Sequence, residues 1–279
     1  MATMPLNVWV KYKDLLAKIS NEAANEFRDA VFKADGFFGG VGLGKIERNA
    51  LIDFAYALVT KYSEASSAAA CVFYDELATL SGVVLPPAIP AEPANYGTVA
   101  KAVSFTDNEE MLGSAVGRLV KQAGQDTTLQ NALRDGAEFA WIPSGDTCAF
   151  CITLASRGWQ TASKGAIKNG HAEHIHGNCD CAYAVRFNSK TNYAGYDPAK
   201  YEAMYKSAST DGAGDMTRHY NAKTGEWVER PRSESTAKIN AIRREIYKQN
   251  ADEINAQKRD AYAKRKERES SEAEEMDVE

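Results

Sequence analysis

The chain has 279 residues, of which 44% are hydrophobic and 25% charged, proportions that are ordinary for a globular protein. Its net charge of −5 excludes a protein that is basic throughout, and no apolar run approaches the roughly 18 residues of a membrane span. No basic stretch followed by an apolar one opens the sequence, so we expect synthesis in the cytoplasm without a signal peptide, and no membrane partner. In that reducing compartment, clustered cysteines bind metal more often than they pair as disulfides.

Residues 1–84 predict a helical N-terminal region. Apolar side chains recur every three or four residues along one stripe of a first helix: Trp9, Tyr12, Leu16, Ile19, Ala23, Phe27 and Val31. Glycines at 36–44 interrupt the pattern and indicate a hinge rather than a phosphate-binding loop, because no Gly-Lys-Ser/Thr ending follows them. A second period runs from Ile46 to Leu77 and predicts a helix about 50 Å long if it is unbroken.

Four prolines mark residues 85–98 as a semi-rigid extended linker. The next region, residues 99–187, is expected to hold a helical hairpin that leads into a small α+β module. Its first helix begins after Asp107, and its second covers about 127–140. Alternation at 182–187 then predicts a short strand.

Two pairs of cysteines carry the strongest chemical signal. Cys148 and Cys151 form a C-x-x-C, while Cys179 and Cys181 close a segment that also contains His176. Thiolates and imidazoles at such spacings suit a tetrahedral zinc site. We therefore predict one structural zinc ion, held by the first cysteine pair and two of the other three residues. Disulfides, or buried thiols without a metal, remain alternatives.

Beyond the cysteines, residues 188–233 show no clear period and are expected to be irregular. Residues 234–279 are expected to form a charged helical tail. A pattern of Ile-Asn-Ala, Arg and Tyr begins at Ile239 and recurs 15 residues later, close to four helical turns. Ten Lys or Arg stand against five Asp or Glu between 238 and 268, and six acids follow at 269–279. Such a helix can lie along DNA or dock on a protein, and its acidic end is expected to be disordered.

The cysteine segment contains three elements in a fixed order: Trp141-Ile-Pro-Ser-Gly-Asp-Thr-Cys148-Ala-Phe-Cys151, then Arg157-Gly158, then His176-Gly-Asn-Cys179-Asp-Cys181. In this it resembles the head-morphogenesis or minor capsid proteins of tailed phages, the Mu F-like family. The resemblance covers roughly residues 130–187. It departs from the family in a shortened first element and in the glycine after His176, where the family usually has proline.

The resemblance implies a structural, non-enzymatic virion protein, placed at or inside the head near the portal. Its partners would be the portal or the major capsid protein, and packaged DNA through the basic tail, with no small-molecule substrate. The expected fold is mainly α, with a helical N-terminal region, a metal-stapled α+β module and an extended, partly disordered tail.

Enzymatic interpretations fit the sequence less well. His171-Ala-Glu173 matches part of a zinc deaminase signature, but the C-x-x-C precedes it instead of following it. Glu173 and His174 resemble the core of a His-Asn-His nuclease, yet a convincing downstream Asn and His are missing. The alternative function is therefore a metal-dependent nucleic-acid-binding protein or a nuclease of that type.

Overall fold

The computed structural model describes residues 3–4, 6–41, 43–104, 108–143, 148–169, 181–189, 191–210, 216–221, 224–231 and 233–249, with 251, 255–256 and 259–260. In chain order its elements are β1 (Thr3–Met4), α1 (Leu6–Phe32), α2 (Arg48–Leu80), α3 (Tyr96–Val103), α4 (Glu109–Asp135), β2 (Glu138–Ile142), α5 (Ala149–Ala155), β3 (Gln160–Thr161), α6 (Lys164–Asn169), β4 (Ala182–Arg186), β5 (Asn192–Tyr193), α7 (Pro198–Ser207), β6 (Met216–Asn221), β7 (Glu226–Pro231) and α8 (Glu234–Gln249). The protein is mainly helical, as the sequence predicts.

The chain forms two compact units. The first comprises residues 1–147 and 157–199, and the second comprises residues 148–156 and 200–279. Among the described helices, none is both long and apolar enough to cross a bilayer.

Helices α1 to α4 pack together as the body of the first unit. All seven residues predicted for the apolar stripe of α1 are buried. Helix α2 is unbroken over its 33 residues, as its long period allowed. Its Leu58 and Val59 join Phe27 of α1, Val99 of α3 and Val116 of α4 in one apolar cluster. The apolar stripe predicted for α1 therefore contributes to this core, whereas Val59 and Val99 were not among the predicted residues.

Helix α4 differs from its predicted form. Its N-cap is Asn108, whose side chain accepts a hydrogen bond from Met111 N at 3.0 Å. The sequence predicts a helical hairpin with a second helix from about 127, but the structure has one continuous helix there. It ends where Gly136 adopts φ 64°. A glycine in the left-handed conformation ends a helix, so residues 136–140, which were predicted to be helical, lie outside α4. Strand β2 begins at Glu138 instead.

The proline-rich segment lies along α4. Asn131 bonds the backbone of Ile89 twice, with its Oδ1 accepting from the backbone N–H at 2.9 Å and its Nδ2 donating to the carbonyl at 2.8 Å. Arg134 donates to the carbonyl oxygens of Pro86 and Pro87 at 3.0 and 2.9 Å. These side chains satisfy backbone groups for which an extended, proline-rich segment has no partner of its own.

A small sheet in the first unit has the order β3-β2-β4, with both pairs antiparallel. Strand β4 confirms the short strand predicted at 182–187. Its outer edge is occupied by side chains, because Gln125 Oε1 accepts from Tyr183 N at 2.8 Å and the Tyr193 hydroxyl donates to Val185 O at 2.6 Å. Both contacts use backbone groups that a free edge would expose for pairing.

The second unit contains α5, α8 and the β6–β7 hairpin. Ala149 and Ile152 of α5 pack with Ala241 and Ile242 of α8, and Ala208 joins them. The sequence analysis names DNA or another protein as the surface for this tail, but over 234–249 the structure shows α8 packed on its own chain. Ile254 and Tyr262 of the second repeat copy lie outside the described residues.

The segment at 188–233, which shows no clear period in the sequence, contains β5, α7 and the hairpin.

Candidate metal centre

Cys148 and Cys151 lie on the first turn of α5. Cys148 is the N-cap, with φ −71° and ψ 159°, and its carbonyl accepts from Ile152 N at 3.0 Å. Cys151 is the third helical residue and is fully buried. The side chains of an N-cap and of the third helical residue lie beside each other, as they do in a capping box. The two cysteines therefore share one helical turn, which is the spacing that a C-x-x-C half of a tetrahedral site uses.

Cys181 lies directly before β4 and is 2% exposed. Residues two apart on a strand share a face, so its side chain lies on the face of Tyr183, whose antiparallel partner across the ladder is Trp141. Cys181 belongs to the first unit, whereas Cys148 and Cys151 belong to the second.

Two of the five predicted ligands, His176 and Cys179, lie outside the described residues, as do His171, Glu173 and His174. Within the part of the chain that the structure describes, no three His, Cys, Asp or Glu side chains form a metal-binding group. The predicted ligand set therefore stays a prediction.

Two buried N–H donors lie next to Tyr183, the residue that shares a strand face with Cys181. The indole of Trp141 packs edge-on against Tyr183, with the ring centroids 4.6 Å apart, and its buried Nε1 has no acceptor among the described residues. The buried Nε2 of Gln125 also lacks an acceptor among the described residues, whereas Oε1 of that side chain accepts a hydrogen bond from Tyr183 N. A buried N–H without an acceptor is costly, and metal-bound thiolate accepts such donors.

Two tryptophans, Trp141 and Trp159, flank the first cysteine pair in the sequence. Trp141 is 3% exposed and shares the face of Cys181, but Trp159 packs against Arg186, whose guanidinium carbon lies 4.5 Å from the indole centroid. Arg186 also donates to Glu138 Oε2 at 2.8 Å, which ties β4 to β2. The cysteine motifs do not point to Arg186, although a lone arginine between apolar residues at 182–187 is a recognisable sign of a paired charge.

The family model described as VG15 protein matches residues 5–208. The chain belongs to this family. The family is one of phage proteins, and the match takes in helices α1 to α7 and both cysteine elements. The match shows a phage protein family and does not by itself assign the chain to the Mu F-like family. No curated protein and no solved structure matches the chain.

Proposed function

We propose that this phage protein is a structural component of the virion, a minor capsid or head-morphogenesis protein that acts at or inside the head near the portal. One observation supports the proposal most strongly. Inside the region matched by the phage family, the cysteines of the Mu F-like resemblance stand at the starts of two elements, Cys148 and Cys151 at α5 and Cys181 before β4. Ligands at element starts are a common way to stabilise a small module with a metal.

The cofactor in this proposal is one structural zinc ion. Its ligands are Cys148 and Cys151, completed by two of His176, Cys179 and Cys181. Zinc bound in this way contributes folding free energy, because the unfolded chain offers no preformed site. With more soft ligands than four positions require, coordination is closed, and a closed ion has no open position for catalysis. The proposed role is accordingly non-enzymatic.

The proposed partners are the portal or the major capsid protein, with packaged DNA as a further contact of the basic tail. Ala241 and Ile242 of α8 face its own unit, which leaves exposed side chains such as Arg243 and Lys248 for a partner. Phosphate contacts make binding fall steeply as salt rises, whereas a protein surface gives a weaker dependence. A salt titration of the purified chain on duplex DNA therefore separates the two.

Complementation of a phage that lacks this gene tests the proposal. We expect particles from the null phage to be defective in the head, and the wild-type chain and Glu173→Gln to restore them equally. Loss of head assembly, or of a measured DNA cleavage, in Glu173→Gln alone would favour the nuclease alternative. Normal infectious particles from the null phage would remove the structural role altogether.

A further inference from the structure

A cleft opens in the first unit between the segment that precedes α3 and the middle of α4. Its volume is about 440 Å³. Part of its wall is apolar, and the rest carries polar and charged groups from α4 and the preceding segment. The residues that matter for its chemistry are Glu92, Arg118, Gln122 and Asp126.

Arg118 is a half-buried cation that forms no ion pair with the described residues. In the described part of the chain its guanidinium makes no hydrogen bond or ion pair, and burial lowers its pKa from the ordinary value. Glu92 and Asp126 line the same cleft, but neither pairs with it. Partial burial of an unpaired charge lowers the stability of the fold, so the position of Arg118 is better explained by a ligand than by a structural role.

Gln122, which lines the same cleft, has an oxygen without a hydrogen-bond donor. Its Nε2 donates to Asp126 Oδ1 at 2.6 Å, but its buried Oε1 accepts no hydrogen bond from the described residues. A buried carbonyl oxygen of this kind lacks a donor. Because this oxygen has almost no solvent-accessible surface, it is not open to a ligand, and the Arg118 guanidinium is the unpaired cation among the residues that line the cleft.

We propose that this cleft binds a carboxylate, such as the side chain of a Glu residue in a peptide. The guanidinium takes the carboxylate, because its planar fork matches two carboxylate oxygens. Glu92 and Asp126 repel any anion, and they repel phosphate more strongly than a carboxylate because phosphate carries more negative charge at neutral pH. The site involves none of the cysteines, and the inference holds whether or not the virion role does.

The probe is N-acetyl-glutamate N-methylamide, titrated into the full-length protein and followed by NMR of the labelled chain. A ligand of this size in a good site binds in the low millimolar range. Arg118→Met keeps the aliphatic stem and is expected to weaken binding about thirtyfold or more. Lys101→Gln removes one exposed positive charge from α3 and is expected to bind as the wild type does.

Inorganic phosphate and the corresponding glutamine derivative serve as ligand controls, and both should bind much more weakly. Absence of saturable binding up to about 50 mM, well above the expected constant, would overturn the proposal. Equal binding of phosphate or of the glutamine derivative would overturn it as well.

The stability of Arg118→Met provides a second readout that needs no ligand. Removing an uncompensated, half-buried charge should raise the melting temperature of the ligand-free protein by a few degrees. Lys101→Gln should leave it unchanged. A lower melting temperature for Arg118→Met would show that the guanidinium stabilises the fold, and the proposal would then be wrong.

Discussion

A close approach between α1 and α4 at Gly117 provides a sharp test of the packing. At Gly117 of α4, an added Cβ would lie 2.8 Å from the backbone oxygen of Ser20 and 3.3 Å from Ala24 Cβ. The oxygen belongs to the middle of α1 and cannot rotate away. Gly117→Ala therefore forces the two helices apart by about half an ångström in a core that is already close-packed.

The expected magnitude follows from two opposing terms. Overpacking of this kind costs about 1–3 kcal/mol, whereas alanine in a helix is favoured over glycine by up to about 1 kcal/mol. The matched control is Gly97→Ala in α3, where the new Cβ meets only Asn95 Oδ1, at 3.5 Å. Both variants gain helix propensity, so the control should be about 1–3 kcal/mol more stable than Gly117→Ala.

Urea denaturation followed by circular dichroism and tryptophan fluorescence measures this difference. We expect Gly97→Ala to match or exceed the wild-type midpoint and Gly117→Ala to fall below it. Equal midpoints for the two variants would mean that α1 and α4 are not in contact at Ser20 and that the helical packing described above is incorrect.

Three further predictions concern the metal, the tail and acid stability. Cys148→Ser should lose bound zinc and melt earlier, whereas Cys71→Ser should retain the metal. Ile242→Ala, at a position 2% exposed, should cost about 2–5 kcal/mol. Hydrogen bonds from Arg134 and then Tyr74 lower the pKa of Asp135. The advantage of the wild type over Asp135→Asn should therefore be complete at neutral pH and disappear as the pH falls below about 4.

Each of these has a contradicting result. Elemental analysis that finds equal zinc in Cys148→Ser and the wild type would exclude that ligand. Thermal melts that show a harmless Ile242→Ala would remove α8 from the core. A stability difference for Asp135→Asn that stays constant from pH 7 to pH 3, measured by urea denaturation, would show that the carboxylate is not held in its charged form.

The sequence predicted α1 well because its buried residues are almost all apolar and recur at the helical period. Helix α4 was harder to predict, since much of its buried face is polar. Thr128 Oγ1 lies 2.9 Å from the Tyr12 hydroxyl, and Thr127 accepts from Ala91 N at 2.9 Å. A threonine becomes a core residue only when a distant part of the chain supplies its partner, and sequence periodicity does not reveal that partner.

The tail illustrates a related limit. The spacing of Ile239, Ile242 and Ile246 marks an apolar stripe, but a stripe does not say what covers it. The structure shows α5 and residues near Ala208 in that place. For the cysteines, the sequence predicted which side chains to consider, and the structure adds the shared helical turn of Cys148 and Cys151. The cleft at Arg118 has no sequence signal, because an unpaired arginine is recognised only from its surroundings.

Quantitative mass spectrometry of purified, nuclease-treated virions tests the central claim most directly. A minor head protein should be present at a low, reproducible copy number relative to the major capsid protein, and it should stay with the particles through density-gradient purification. Its absence from intact, infectious virions, while it is abundant in the lysate of the same infection, would contradict the proposed structural role.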